Sequence, residues 1–397
     1  MWNRFGLLMP NRYILSALFA LLSTAAPSAS AQQTVVEKQL ERSRQLYTNR
    51  EQWAGRRTEL RAGFLRGAGL WPLPDRPVVN VFAHSCRERD GYSVENVALE
   101  TMPGFYCTGN LYRPLAKGDA GELSQPGPGI LCPHGHFRPW GRFRENHQIR
   151  CAHFARMGAT VFSYSMVGWQ DSTQTTHNDP LVLAIQTWNS MRALDFLAQL
   201  KQVDPLRLGI TGASGGGTQT FFLAALDDRV RVSAPLVIVY PWTAPDGCLC
   251  EGGLPVMQAT QTNAIELAAS VAPRAQLIIS VGAPDPTKDF PKFGFPFIQN
   301  VYEIHGRSDH AKLLHLATEK HDFGPSKRNA VYAFFAKHLQ MSPRPEVSAT
   351  ITIETPEVME VFSATHPHPA HAVQGSAEVA KAFAALSRPD SPVHGGE

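Results

Sequence analysis

Long basic runs are missing from this chain. Lys and Arg total 37 against 34 Asp and Glu among 397 residues, and the net charge is only +3. The basic residues are scattered, so the sequence offers no footprint for a nucleic-acid partner. Long apolar runs are missing as well. The most apolar stretch, Tyr13–Leu22, holds about ten residues, whereas a bilayer span needs ~20. Cysteine is scarce, and the closest pair, Cys248-Leu-Cys250, is a C-x-C rather than a zinc-type C-x-x-C. A structural metal is therefore not expected, nor is any other cofactor. A direct bridge within the C-x-C would close a small, strained ring. No internal repeat is visible.

At its start the chain carries Arg4 and Arg12, the apolar stretch, and then the small residues Ala29-Ser30-Ala31. That order predicts a signal peptide over 1–31, with Gln32 as the mature N-terminus and export to a bacterial periplasm or beyond. The alternative is an uncleaved anchor. In an exported chain the six cysteines are compatible with disulfides, but their spacing does not fix a pairing.

With 43% hydrophobic residues the chain has ample material for a large core. Residues 35–67 carry apolar positions at helical spacing and many charges, predicting one or two exposed amphipathic helices over an N-terminal extension, 32–77. Residues 78–113 alternate, predicting two or three antiparallel strands with a turn at Pro103-Gly104. From residue 129 on, short apolar runs alternate with helical patterns: strands at 129–133, 159–166, 207–211, 232–240, 275–282 and 311–317, and a strong amphipathic helix at 181–200. Such alternation predicts a mostly parallel sheet with helices on both faces, its site built from loops at the carboxyl ends of the strands. This catalytic domain is assigned to 78–341. A C-terminal extension, 342–397, holds a candidate strand in "SATITIE" (348–354) and a candidate helix in "SAEVAKAFAAL" (376–386).

Gly212-Ala213-Ser214-Gly215-Gly216 matches G-x-S-x-G between a strand and a helix. A sharp turn there holds the central side chain clear of the backbone, with glycines where Cβ atoms would collide. The competing readings fail on residues: a Walker loop needs Lys-Ser/Thr after its last glycine, and Thr218-Gln219 follows here. Ser214 is thus the candidate nucleophile. A serine hydroxyl needs an imidazole to take its proton and a carboxylate to fix that imidazole, in the chain order Ser, Asp/Glu, His. His321 stands after the last apolar strand and before the last helix, as the order demands. His134, His136 and His177 precede the serine and violate it. For the acid, the loop after 275–282 offers Asp285 and Asp289, with Asp285 nearer the strand end; Asp246, Glu251 and Asp309 are outside candidates. The oxyanion of a tetrahedral intermediate needs two N–H donors, assigned to Gly215 and to the "HGHF" loop at Gly135 and His136. The rival reading of that loop, His134 and His136 as an H-x-H metal pair, lacks a third ligand in the sequence pattern. Trp140, Trp169 and Trp242 are candidate sugar-stacking residues in site-facing loops. Glu251 and Asn263 are candidate polar substrate contacts.

Taken together, "CPHGHF", "MVGWQDS", "WNSMRALDFL", "GITGASGGGTQTFFLAALDDRV" and "EKHDFGPSKRNAVYAFFAKHL" resemble the α/β-hydrolases, more narrowly the exported bacterial acetylxylan-esterase-like and dienelactone-hydrolase-like proteins. The resemblance runs over about 78–341 and implies Ser214 as nucleophile, Asp285 as acid and His321 as base. It departs at three places. Serine stands at 165, where relatives would carry aspartate. The nucleophile is serine where dienelactone hydrolases use cysteine. Gly215 follows it where glucuronoyl esterases carry arginine. The expected function is a secreted serine esterase on short-chain esters, including acetyl groups of plant polysaccharide. The alternatives are a peptidase of the prolyl-oligopeptidase type and a non-catalytic protein on the same fold.

Overall fold

A computed structural model describes residues 29–115, 125–240, 248–252 and 262–386. Most of the predicted signal peptide, Trp242 and the end of the C-terminal extension lie outside the described residues. Nine strands form one sheet: β1 (Asn80–Arg89), β2 (Tyr92–Met102), β3 (Phe105–Pro114), β4 (Gly127–Leu131), β5 (Thr160–Tyr164), β6 (Val203–Ala213), β7 (Val230–Leu236), β8 (Ala275–Val281) and β9 (Ala311–Leu316). Their order is β1-β2-β3-β5-β4-β6-β7-β8-β9. The first three strands are antiparallel, and everything from β5 to β9 pairs in parallel. This is the mostly parallel α/β-hydrolase sheet that the alternating pattern predicts.

Strand residues point alternately to two different cores, which is why the apolar runs look continuous. Ile130, Val161, Leu277 and Ile279 face one core, with α3 (Glu145–Arg156) and α8 (Pro325–Leu339). Leu131, Phe162 and Ile278 face the other, with α4 (Val182–Gln199) and α5 (Gly215–Leu226). The second face is also covered by α2 (Arg50–Gly67), α6 (Ala264–Ala269) and α7 (Phe290–Ile304). The N-terminal helices, α1 (Ala29–Leu46) and α2, are therefore not free appendages. Trp53 is buried with its ring edge-on to Phe297, Phe64 lies 4.8 Å from Phe222, and Arg56 grips buried Glu266 through two bonds of 2.9 and 2.8 Å.

Beyond α8 the chain runs back along the antiparallel end of the sheet, through α9 (Pro356–Met359) to α10 (Ser376–Leu386). Val361 and Phe362 pack on Ala98 and Tyr106. The candidate strand at 348–354 does not form. The backbone of Glu354 is instead bonded by the Gln148 side chain, at 2.9 Å through its N–H and 3.0 Å through its C=O, and its carboxylate binds Arg87 and Arg89. A side-chain amide has taken the place of a neighbouring strand. No helix among the described residues is long and apolar enough to cross a membrane.

Candidate active site

The carboxyl ends of β4 through β9 gather the sequence-predicted residues on one edge of the sheet. Strand β6 ends at Ala213 and α5 begins at Gly215, so Ser214 alone makes the turn, at φ 55° and ψ −129°. That left-handed backbone is costly for a residue with a Cβ and survives only where the surroundings enforce it. They do so by close approach: a Cβ on Gly212 would lie 2.5 Å from the carbonyl oxygen of Gly216, leaving no room for any other residue. The Ser214 side chain is partly exposed and makes no hydrogen bond among the described residues.

Asp285 stands four residues past the end of β8. Its Oδ1 accepts from the Thr287 N–H at 2.8 Å and the Thr287 hydroxyl at 2.6 Å, while Oδ2 meets His321 Nδ1 at 2.6 Å. Burial alone would raise this carboxyl, but the bonds from His321 and Thr287 outweigh it and hold Asp285 below the usual carboxylate range. Asp289 sits one turn on, pairing only with the exposed Lys292 at 2.7 Å. His321 projects from the turn between β9 and α8. A fully buried Lys327 amine fastens that turn, bonding Glu319 at 2.8 Å, the Lys320 carbonyl at 3.0 Å and Asp322 at 2.7 Å. Phe137 of the "HGHF" loop faces His321 with ring centroids 6.3 Å apart.

That loop leaves β4 and lies on the serine turn. A Cβ on Gly135 would come 2.9 Å from the Cβ of Ser214, and one on Gly215 would come 2.8 Å from Cε1 of His136. The N–H groups of Gly135, His136 and Gly215 have no backbone acceptor among the described residues. His134 is turned inward instead, its Nε2 accepting from the Met166 N–H at 3.0 Å and its Nδ1 bonded to the Gly135 carbonyl at 2.9 Å.

Several expectations need correction. Trp169 is only 7% exposed and is ringed by His134, His136 and His177 at 5.6, 5.8 and 5.8 Å, so it has no free face for a sugar. Trp140 is half-exposed, as a stacking residue would be. Glu251 is engaged with His136 Nδ1 at 3.2 Å rather than open to substrate. Asn263 is buried, capping α6 through the Glu266 N–H and bonding Gln39. No metal site is expected from the sequence, yet ligand-type side chains meet in the structure. His136, His177, Cys248 and Cys250 place one ligand atom each within 4.8 Å of one another. The H-x-H pair is not the unit: His134 points away, and the partners of His136 come from two distant loops.

Ser165 has an account too. Its hydroxyl accepts from Arg142 Nε at 2.8 Å, and the fully buried Arg142 takes its carboxylate partner from Asp171 through bonds of 2.7 and 2.6 Å. The acidic partner is thus six residues along the chain. Asp171 also accepts from the Thr108 hydroxyl and the Val361 N–H, tying the C-terminal extension to the floor of the site.

Beneath the "HGHF" loop, buried His147 accepts from Arg150 at 2.7 Å and donates through Nε2 to the Ser163 hydroxyl at 2.6 Å. Burial and the Arg150 cation push its imidazole well below its ordinary value. The unfolded chain then binds a proton that the folded chain does not, so stability falls as pH drops below about 6.5. Melting temperature should decline between about pH 7.5 and about pH 5, and His147→Gln should flatten that decline.

No family model matches the chain. Among solved structures, methylesterase BT1017 superposes with a TM-score of 0.80 at 37% identity, covering 89% of this chain and 80% of that one. The chain belongs to the α/β-hydrolase family of this methylesterase. Two more distant structures share the fold: a "putative acetyl xylan esterase" from Bacteroides fragilis NCTC 9343 (TM-score 0.54, 15% identity, 73% of this chain and 83% of that one) and a glucuronoyl esterase from Solibacter usitatus (0.51, 16%, 69% and 91%). By sequence, "Putative hydrolase YtaP" of Bacillus subtilis (strain 168) is 25% identical over 186 residues, 42% of this chain and 60% of that protein. The match thus spans under two thirds of that relative's length.

Proposed function

We propose that the chain is an exported serine esterase that acts through an acyl-enzyme on esters carried by polysaccharide. The observation that carries the reading is the strained Ser214 turn at the end of β6, with the 2.6 Å His321–Asp285 pair supplied from the ends of β8 and β9. In this reading Ser214 Oγ attacks the ester carbonyl and gives its proton to Nε2 of His321. Asp285 holds the opposite nitrogen protonated and stabilises the imidazolium, which then protonates the leaving alcohol. Water repeats the cycle on the acyl-enzyme. The orphan N–H groups of Gly215 and of Gly135 or His136 receive the oxyanion, with the α5 dipole assisting at Gly215. The missing Ser214–His321 bond is compatible with this, because such contacts often tighten only when substrate binds.

The ester itself is narrowed by two facts. The relative at 37% identity is named a methylesterase, which sets methyl esters beside acetyl esters as the substrate class. No arginine clamp follows the nucleophile, and a Cβ at 215 would lie 2.8 Å from Cε1 of His136, so a side chain there would have to displace that ring. A panel of methyl-esterified polyuronate, acetylated xylan, an aryl acetate and an aminoacyl-anilide tests the proposal. Methanol or acetate should be released from an ester, and cleavage of the anilide alone would sink the esterase reading.

A further inference from the structure

Three loops that leave β4, β5 and β7 meet beside the serine turn, and each brings metal-ligating atoms to one point. His136 Nε2 lies 2.9 Å from His177 Nε2, 3.1 Å from Cys250 Sγ and 3.4 Å from Cys248 Sγ, while Cys248 Sγ lies 3.4 Å from His177 Nε2. A tetrahedral zinc ion with Zn–N of about 2.05 Å and Zn–S of about 2.3 Å sets its ligand atoms about 3.3–3.8 Å apart. At these four contacts the atoms lie within about half an ångström of that arrangement, slightly drawn together, and all four fall within 4.8 Å of one another.

The other nitrogen of each histidine decides what the converging atoms are. His177 Nδ1 lies 2.6 Å from the Val167 carbonyl, which can only accept, so that nitrogen carries the proton and Nε2 presents a lone pair. His136 Nδ1 faces the Glu251 carboxylate at 3.2 Å, with the same consequence. With both imidazoles neutral, two lone pairs point at each other across 2.9 Å. Thiol protons from the cysteines can each serve one nitrogen but leave that pair opposed. A proton on one imidazole relieves it for the two nitrogens alone, whereas a metal ion between all four also engages both sulfurs. Carboxylate and carbonyl partners on the far nitrogens are also the usual outer contacts of metal-bound histidines, fixing tautomer and ring orientation. Trp169 walls the cluster at 5.8 Å from both imidazoles.

We propose that His136, His177, Cys248 and Cys250 form a closed tetrahedral site for a divalent transition metal, zinc by its two-nitrogen, two-sulfur donor set, which fastens the oxyanion loop to its neighbours. Four protein donors fill the shell, so the ion holds loops rather than substrate. Its reach into catalysis runs through His136, whose ring covers Gly215 at the start of α5. His136 and His177 thereby act as positioning residues, and Glu251 is the outer contact that aims one of them. Only this last link to turnover rests on the esterase reading; the metal site itself does not.

The test is metal content and cobalt substitution of the full chain, purified reduced with zinc supplied and then dialysed. Wild type should carry one zinc per chain, and Cys248→Ser with Cys250→Ser should carry less than a tenth of that. Chelated wild type titrated with Co2+ should develop the visible bands of a tetrahedral thiolate-bound ion, saturating at one equivalent. This arm needs no variant and so survives a folding defect. Glu251→Gln should weaken binding about 10–100-fold. Wild type that holds no stoichiometric zinc and gives no cobalt bands overturns the site, as does recovery of Cys248 and Cys250 as a disulfide that excludes metal. Because Ser214→Ala leaves the four ligands untouched, it should keep its zinc whether or not it turns over esters. If the ion positions the oxyanion loop, chelation lowers kcat with little change in KM, and added zinc restores it; unchanged kcat on chelation would remove the positioning role.

Discussion

Replacing Ser214 by alanine should lower kcat for ester hydrolysis by ~10⁴–10⁶-fold, to the level left by binding and the oxyanion donors alone. The hydroxyl makes no hydrogen bond among the described residues, so its removal leaves no buried group unpaired. Alanine has the same Cβ and inherits the same φ of 55°. Folding and melting temperature should therefore hold while turnover collapses, and loss of the acyl-enzyme should be visible as loss of the burst with an aryl acetate. Turnover within about tenfold of wild type would show that another group does the chemistry.

Asp285→Asn should cost about 10⁴-fold in kcat, with Asp289→Asn close to wild type. The contrast follows from what each carboxylate touches. Asp285 is bonded to His321 Nδ1 at 2.6 Å and held in place by Thr287, whereas Asp289 meets only an exposed lysine. An amide at 285 keeps an acceptor for the Thr287 N–H, so the turn survives. The same amide can present its NH₂ to His321, which favours the tautomer with the proton on the wrong nitrogen. Equal losses in the two variants, measured as kcat on one aryl ester, would reverse the assignment of the acid.

How much of this was legible beforehand depended on whether the governing physics is local. The G-x-S-x-G turn was readable because a strand, one strained residue and a helix make it within a dozen neighbours, and glycine is demanded there by contact with the chain's own next turn. The strand and helix pattern was readable because burial on two faces leaves periodicities of 2 and 3.6. His321 was readable from its place in a fixed chain order. The strand expected at 348–354 was not, because alternation says which side chains suit a sheet but not whether an edge is free; Gln148 had already taken the Glu354 backbone.

Membership of the α/β-hydrolases, the serine turn and the candidate base were determined by the sequence itself, through short-range sterics and patterning. The pairing of Asp285 with His321, the burial of Trp169, the capture of Glu251 by His136 and the meeting of His136 and His177 with Cys248 and Cys250 became visible only in the tertiary structure. Each of these depends on which loops stand side by side. Strand order in a parallel sheet sets that adjacency, and the order β5-β4-β6-β7-β8-β9 brings together residues that no local window contains.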